Sequence, residues 1–182
     1  MEYLFTSDEE PVKLTSSKPW HILSVDDDPM IHEITKLVIS DIIFDNEKIK
    51  FSSANSAKEA IEYINNNDDI ALILLDIVME KEDSGFDVAE FVRNTKKNFH
   101  TRVVIRSGQP GAFLKEEVVQ KYGIDGFTEK TDLTKNQLTT ILYSSIRTYR
   151  DIRAVMDKNI SLTKENTDLK KEISLLKEKD LI

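Results

Sequence analysis

ALILLD (71–76) is a run of five aliphatic residues that ends in a single aspartate. A strand that is apolar at every position is buried on both faces, which is typical of the central strands of parallel sheets. HILSV (21–25) reads as a second buried strand and stops abruptly at three aspartates, residues 26–28. The two runs therefore predict strands of a parallel sheet with acidic side chains at their carboxyl ends.

Helical patterns separate the predicted strands. Asp28 and Pro29 are typical of an N-cap and a first helical position, and Ser56 is a cap of the same kind. The predicted strands are residues 21–25, 48–54, 71–76 and 102–107, with a fifth within 123–130. This alternation predicts an α/β fold: a five-stranded parallel sheet in the flavodoxin-like order 2-1-3-4-5, with helices on both faces.

Composition excludes several classes of function. The 182 residues are 40% hydrophobic and carry a net charge of −8, which argues against broad binding to nucleic acids or anionic membranes. Without cysteine the chain has no disulfide and no thiolate metal site. It also lacks a basic, apolar signal region and any apolar run near the ~20 residues of a membrane helix. We therefore expect a cytoplasmic protein with no direct nucleic-acid partner and no membrane partner.

The chain divides into three predicted parts. Residues 1–18 are polar and rich in Ser, Thr and acidic residues, as in a mobile tail. Residues 19–147 form the α/β domain. Residues 148–182 continue its fifth helix, because the pattern from about residue 133 onward is helical and contains no Gly or Pro.

A heptad repeat begins beyond Tyr149. Its a and d positions are Ile152, Val155, Asn159, Leu162, Asn166, Leu169, Ile173 and Leu176. In a parallel dimer, Glu165 at a g position would face Lys170 at an e position of the partner helix, which is attractive. The repeat predicts a homodimer through a parallel, two-stranded coiled coil. A single solvated helix is the alternative.

Polar residues at the predicted strand ends converge on one edge of the sheet, where open parallel sheets bind ligands. They are Asp26, Asp27, Asp76, Ser107 and Lys130. Three close carboxylates repel one another unless a cation intervenes, and oxygen ligands favour Mg²⁺. An ammonium and a hydroxyl beside them suit a phosphoryl group. Since no P-loop is present to hold a nucleotide, the phosphoryl donor is expected to be another protein or a small phosphodonor.

The chain resembles the receiver domain of two-component response regulators over about residues 19–147. The motifs that carry the resemblance are VDDD (25–28), LLDIVM (74–79), VVIRSG (103–108) and GFTEK (126–130). The stretches IRSGQPG and EKTDLT are most similar to receivers that precede HD-type phosphohydrolase or cyclic-dinucleotide output domains.

The resemblance implies a role for each acidic residue. Asp76 would accept a phosphoryl group from a histidine kinase or phosphotransfer protein. Asp27, Asp76 and the backbone carbonyl of Val78 would bind Mg²⁺ directly, and Asp26 would act mainly through metal-bound water. Such a domain is not an enzyme beyond its own phosphorylation and dephosphorylation.

The resemblance also implies a switch, with some departures. Lys130 would pair with the aspartate or its phosphate, and Ser107 and Phe127 would be the switch residues. Phe127 lacks the hydroxyl of the family's common Tyr. Glu80 stands where the family usually has Pro, and Thr131 stands where Pro usually follows the lysine, so we expect a trans Lys130–Thr131 peptide.

Two other functions remain open from the residues. One is a Mg²⁺-dependent phosphatase with an aspartyl nucleophile, although Val78 stands where such enzymes normally carry their general acid. The other is an unphosphorylated, receiver-like dimerisation module. The intact acidic set, Ser107 and Lys130 argue against it.

Overall fold

The structure is a computed structural model that describes residues 19–108, 116–130 and 134–179. The predicted tail, residues 1–18, and the Lys130–Thr131 peptide lie outside the described residues.

Within the described residues, six strands form one sheet and five α-helices flank it. The strands are β1 (Trp20–Val25), β2 (Ile43–Phe44), β3 (Glu47–Ala54), β4 (Ile70–Leu75), β5 (Arg102–Ser107) and β6 (Gly126–Glu129). The helices are α1 (Pro29–Ile39), α2 (Ala57–Asn65), α3 (Ser84–Glu90), α4 (Glu116–Tyr122) and α5 (Lys135–Lys179), and a π-helical turn (Phe91–Thr95) extends α3.

The strand order β2-β3-β1-β4-β5-β6 confirms the predicted fold and adds one strand to it. The five predicted strands are β1, β3, β4, β5 and β6, all paired in parallel and in the expected order. The expectation of five strands was wrong because β2 pairs antiparallel with β3 at the edge. Asp45 and Asn46 make this hairpin turn with φ of 50° and 64°, a left-handed conformation that Asp and Asn tolerate better than most residues.

Two hydrophobic clusters lie on the two faces of the sheet. One packs the sheet against α2, α3 and α4, and the other packs it against α1 and α5. β4 contributes to both clusters, with Ile73 and Leu75 on one face and Leu72 and Leu74 on the other. Burial on both faces explains why this strand is apolar at every position.

Helix α1 buries a partly polar face. Asp28 caps it as predicted, with its carboxylate accepting from the Met30 amide at 2.9 Å. The buried residues of the helix are His32, Thr35 and Ile39. Three apolar side chains of the same helix, Met30, Ile34 and Leu37, are 64%, 50% and 75% exposed.

Helix α5 has 45 residues and is about 67 Å long at ~1.5 Å per residue. Its first third packs on the sheet through Leu138, Leu142 and Ile146. Arg150 then forms an ion pair of 2.8 Å with Asp45 of the β2–β3 turn. Among the described residues, none of the helices combines the length and the apolar character that crossing a bilayer requires.

His21 gives the fold a pH dependence. Its imidazole is fully buried, with Nδ1 3.3 Å from Asp69 Oδ1 and Nε2 3.1 Å from the hydroxyls of Ser52 and Tyr63. Burial lowers the pKa of His21, although the Asp69 carboxylate opposes this. The unfolded chain therefore binds a proton at a higher pH than the folded chain. The free energy of unfolding should decrease as the pH falls below about 6.5, until the lowered folded pKa is reached.

Urea titrations between about pH 5.5 and 8 measure this decrease. The difference in the free energy of unfolding between the natural chain and His21→Gln isolates the contribution of His21, since the two chains share every other titrating group. We expect a shallower pH slope for His21→Gln. An equal slope in the two chains would contradict this account.

Candidate functional site

Asp26 and Asp76 lie side by side because the strands that precede them are paired. Val25 of β1 is in register with Leu75 of β4, and the Asp76 amide donates to the Val25 carbonyl at 2.8 Å. Both residues thus leave the sheet at the same carboxyl edge. Carboxylate oxygens of Asp26, Asp27 and Asp76 all lie within 4.8 Å of one another.

The three carboxylates differ in burial. Asp26 is fully buried and Asp76 is 2% exposed, whereas Asp27 is exposed. Asp27 therefore marks the side on which the cluster opens to solvent. Two ionised carboxylates this close in a buried site require compensating positive charge.

Lys130 supplies part of that charge from the end of β6. Its Nζ lies 2.6 Å from Asp76 Oδ2 and 3.1 Å from both carboxylate oxygens of Asp26. The Lys130 amide also donates to the Ser107 carbonyl at 2.9 Å, which fixes the residue beside the end of β5. The lysine thus ties three strand ends together.

The pKa values reflect this arrangement. Burial raises the pKa of Asp76 above its ordinary value, with repulsion from Asp26 in the same direction, while the hydrogen bond and charge of Lys130 oppose the rise. The pKa of Lys130 is also raised. Burial acts against this, but its hydrogen bonds and ion pairs with Asp76 and Asp26 prevail. Lys130 therefore favours the carboxylate form of Asp76, which is the form that can act as a nucleophile.

Gly85 allows the chain to pass close behind Asp76. A Cβ at this position would lie 2.1 Å from the Asp76 carbonyl oxygen and 2.7 Å from the Ile77 Cα. The Gly85 amide donates to the Ile77 carbonyl at 3.0 Å. Any side chain at residue 85 would push on the backbone that holds Asp76.

Glu80 anchors the same loop to helix α2. Its Oε1 accepts from the Ala57 amide at 3.0 Å, and the Ser84 hydroxyl donates to its Oε2 at 3.4 Å. The carboxylate therefore satisfies a free amide of the helix N-terminus, where negative charge is favourable. A proline at position 80 could not make these contacts.

The remaining predicted site residues lie around this cluster. Ser107 ends β5 and is 1% exposed, next to the strand that carries Asp76. Phe127 pairs in register with Ile105 and packs partly buried against the α2–α4 side of the core. The Val78 amide approaches Asp76 Oδ1 at 3.4 Å. Metal ligation by the Val78 carbonyl stays a prediction, as do the switch roles of Ser107 and Phe127.

Two buried polar residues beneath the cluster were not predicted. Arg106 Nη2 lies 3.4 Å from Asp26 Oδ2, and His32 Nε2 lies 2.9 Å from the Asp26 carbonyl oxygen. Burial lowers the pKa of Arg106, against the effect of Asp26, but a guanidinium remains charged at any physiological pH. The available signal was an arginine inside the apolar run VVIRS (103–107) of an interior strand.

The donor set of the cluster suits a hard divalent cation. It consists of carboxylate oxygens within 4.8 Å of one another, at an edge that opens through an exposed residue, Asp27. Mg²⁺ takes one or two carboxylates and keeps several waters, which the open side can accommodate. The residues present therefore fit such an ion.

The predicted coiled-coil positions extend away from the domain. Along α5, Ile152 is half-buried, whereas Val155, Leu162, Leu169, Ile173 and Leu176 are between 41% and 62% exposed. Asn159 and Asn166 are exposed as well. This apolar stripe has no partner within the described residues.

The doubly wound sheet and its acidic carboxyl edge define an α/β domain of the kind that binds ligands at strand ends. The sequence matches the response regulator receiver domain family over residues 22–143. The chain belongs to this family, and its receiver is a domain of a two-component response regulator.

One relative of this chain is a considerably longer protein. The chain is 38% identical over 156 residues to the 3'3'-cGAMP-specific phosphodiesterase 2 of Vibrio cholerae serotype O1. That match covers 86% of this chain but only 30% of the relative, so the chain spans less than a third of the relative's length.

Solved structures share the fold at low identity. The signal receiver domain of an HD domain-containing protein from Pseudomonas fluorescens Pf-5 matches with a TM-score of 0.64 and 17% identity, over 79% of this chain and 97% of that one. The signal receiver domain of a LuxO repressor protein from Vibrio parahaemolyticus matches with a TM-score of 0.61 and 19% identity, over 76% and 98%. At these identities the likeness shows the fold alone.

Gly85→Ala should disturb the site through the backbone of Asp76. The new methyl group would overlap the Asp76 carbonyl, and overpacking of this kind costs about 1–3 kcal/mol. Gly108→Ala is the matched control, because a Cβ there meets no atom of the described residues within 4 Å. Urea unfolding of the two variants measures the difference. Equal stabilities would contradict the close approach described for Gly85.

Proposed function

We propose that this receiver is controlled by phosphorylation of Asp76. A histidine kinase or phosphotransfer protein donates the phosphoryl group in a Mg²⁺-dependent reaction. The change then passes through helix α5, as a homodimeric coiled coil, to an output domain. The observation that carries the proposal is the convergence of Asp26, Asp27, Asp76 and Lys130 on one sheet edge.

The geometry of Asp76 suits a phosphoryl acceptor. One carboxylate oxygen would attack phosphorus while the bond from phosphorus to the donor's histidine nitrogen breaks, and the bonding electron pair stays with the imidazole. Lys130 Nζ, at 2.6 Å from Asp76 Oδ2, holds the carboxylate ionised and oriented. A Mg²⁺ held by Asp26, Asp27, Asp76 and the Val78 carbonyl would neutralise charge on the phosphoryl oxygens.

A donor protein needs a surface beside this pocket. Helix α1 starts directly after the acidic residues 26–28, and Met30, Ile34 and Leu37 form an exposed apolar stripe along it. Exposed apolar side chains at helical spacing suit a helical partner. The stripe supports docking of a helical phosphodonor with its histidine over Asp76.

The switch would act on β6 and α5. Phe127 lies beside a cavity of about 150 Å³ that is also lined by Ile105 and Val118, which gives the ring room to move. Only four residues separate Lys130 from the start of α5 at Lys135. A change in the contacts of Lys130 would therefore be transmitted over a short distance to the start of α5.

The output domain is proposed from the relatives. The 38% identity to a cGAMP phosphodiesterase favours a cyclic-dinucleotide phosphohydrolase as the output. The receiver itself turns over only its own phosphoaspartate.

Asp76→Asn should abolish Mg²⁺-dependent labelling by acetyl phosphate, because an amide oxygen is a far weaker nucleophile than a carboxylate. Intact-protein mass spectrometry measures the added phosphoryl group. Asp83→Asn is the matched control. Asp83 is exposed in the loop after Asp76, and its side chain makes no capping hydrogen bond. Labelling that persists in Asp76→Asn, or that is lost equally in Asp83→Asn, would overturn the assignment.

Leu162→Asp should convert a dimer into a monomer. The natural chain is expected to have twice its 20.9 kDa mass by light scattering. A charge at a d position would lie in the seam of a short, marginally stable coil.

Ile160→Asp is the control for the coil, because Ile160 is 66% exposed but lies outside the a and d positions. This variant should remain dimeric. Dissociation of both variants, or of neither, would contradict the proposed register.

A further inference from the structure

Arg106 is a buried cation beneath the phosphoacceptor pocket. It lies on β5 directly before Ser107, and its side chain is 3% exposed. Nη1 donates to the Thr35 hydroxyl at 2.8 Å and Nη2 donates to the Ser24 hydroxyl at 3.2 Å. Nη2 also lies 3.4 Å from Asp26 Oδ2. Two hydroxyls thus hold the guanidinium against the most deeply buried carboxylate of the site.

Stability alone does not account for this arginine. Its Nε is buried and has no hydrogen-bond partner among the described residues. A buried charge with an unsatisfied donor usually costs stability relative to an apolar side chain of similar volume. Val104, two residues earlier on the same face of β5, belongs to the apolar core. An aliphatic residue at 106 would continue that core, so the charge itself requires an explanation.

Asp26 is held through both its backbone carbonyl and its carboxylate. His32 Nε2 lies 2.9 Å from the Asp26 carbonyl oxygen, which can only accept, so this nitrogen donates. His32 Nδ1 lies 3.1 Å from the Ser24 hydroxyl that also accepts from Arg106. The Asp28 amide donates to Asp26 Oδ1 at 3.0 Å. The buried face of α1, which carries His32 and Thr35, therefore helps to position the acidic cluster.

Charge balance gives Arg106 its role. Among the described residues, three clustered carboxylates face two cations, Lys130 and Arg106. Lys130 sits closer to Asp76, at 2.6 Å, than to Asp26, at 3.1 Å. Arg106, the more deeply buried of the two cations, lies 3.4 Å from Asp26 Oδ2. Arg106 thus relieves part of the repulsion among the carboxylates that Lys130 and a divalent ion would otherwise have to relieve.

We propose that Arg106 is a built-in counter-ion of the acidic pocket, a positioning residue that acts through Asp26. It keeps the carboxylates assembled without metal and lowers the affinity of the pocket for Mg²⁺. This inference rests on the proposed Mg²⁺ site. It says that Arg106, which is not itself a metal ligand, weakens Mg²⁺ binding.

The test compares Mg²⁺ binding by the natural chain, Arg106→Gln and Arg106→Lys, using isothermal titration calorimetry. Arg106→Gln removes the charge, and we expect its dissociation constant for Mg²⁺ to fall about tenfold, equivalent to about 1.4 kcal/mol. Arg106→Lys keeps the charge and should remain within about threefold of the natural chain. Melting temperatures should show the same pattern: Arg106→Gln loses stability in EDTA and gains more from Mg²⁺ than the natural chain does.

Arg93 provides a matched control. It is 5% exposed and pairs with Asp125 at 2.8 Å, near the amino end of β5 and away from the acidic edge. Arg93→Gln should lower the melting temperature while leaving the Mg²⁺ dissociation constant unchanged. If the change in the Mg²⁺ dissociation constant came only from a general loss of packing, it would be the same in Arg93→Gln and Arg106→Gln.

The outcomes separate the two proposals. If the natural chain binds no Mg²⁺, the proposed metal site fails and this inference fails with it. If the natural chain binds Mg²⁺ but Arg106→Gln binds it no more tightly, or if Arg106→Lys and Arg106→Gln shift alike, only the counter-ion role is overturned. Should Arg106→Gln unfold in EDTA, refolding by Mg²⁺ alone supports the role, and failure to refold overturns it.

Discussion

The contact between Lys130 and the two buried aspartates is the constraint on which the rest of the site depends. Asp26 and Asp76 are brought together by the pairing of β1 with β4, and their charges would force them apart without a cation. Lys130 resolves this because β6, two strands away from β4, ends at the same edge. The order of the strands thus has an electrostatic consequence: it determines which side chains share the pocket.

A layer of buried polar side chains supports the acidic pocket. This layer consists of Ser24, His32, Thr35 and Arg106, which are hydrogen-bonded to one another beneath the carboxylates. Buried polar groups of this kind fix one arrangement because each needs its partner. This layer couples the position of Asp26 to helix α1, whose outer face is the proposed docking surface.

The sequence predicted those features that depend on strand ends and chain order. Continuous apolar runs identified the strands, and the residues that stopped them, Asp26, Asp76 and Lys130, proved to be neighbours. The strand β2 has only two residues, too few for any periodicity, and it is held by contacts with distant residues such as Trp20, whose indole donates to the Phe44 carbonyl at 2.9 Å. The apolar run around Arg106 indicated its burial, but its partners Ser24 and Thr35 lie far away in the chain, and no local pattern identifies them. The coiled coil stays a prediction because a second chain determines it.

The uninterrupted course of helix α5 makes it a lever arm. Its base is held by Ile146 and Tyr149 in the domain and by the ion pair of Arg150 with the β2–β3 turn. Residues 155–176 are exposed along the helix, which ends at Lys179. A stiff rod of this length turns a tilt of a few degrees at its base into a displacement of several ångström at its far end. The small β2–β3 hairpin, which holds the base of the helix, is therefore in a position to set the direction of the whole arm.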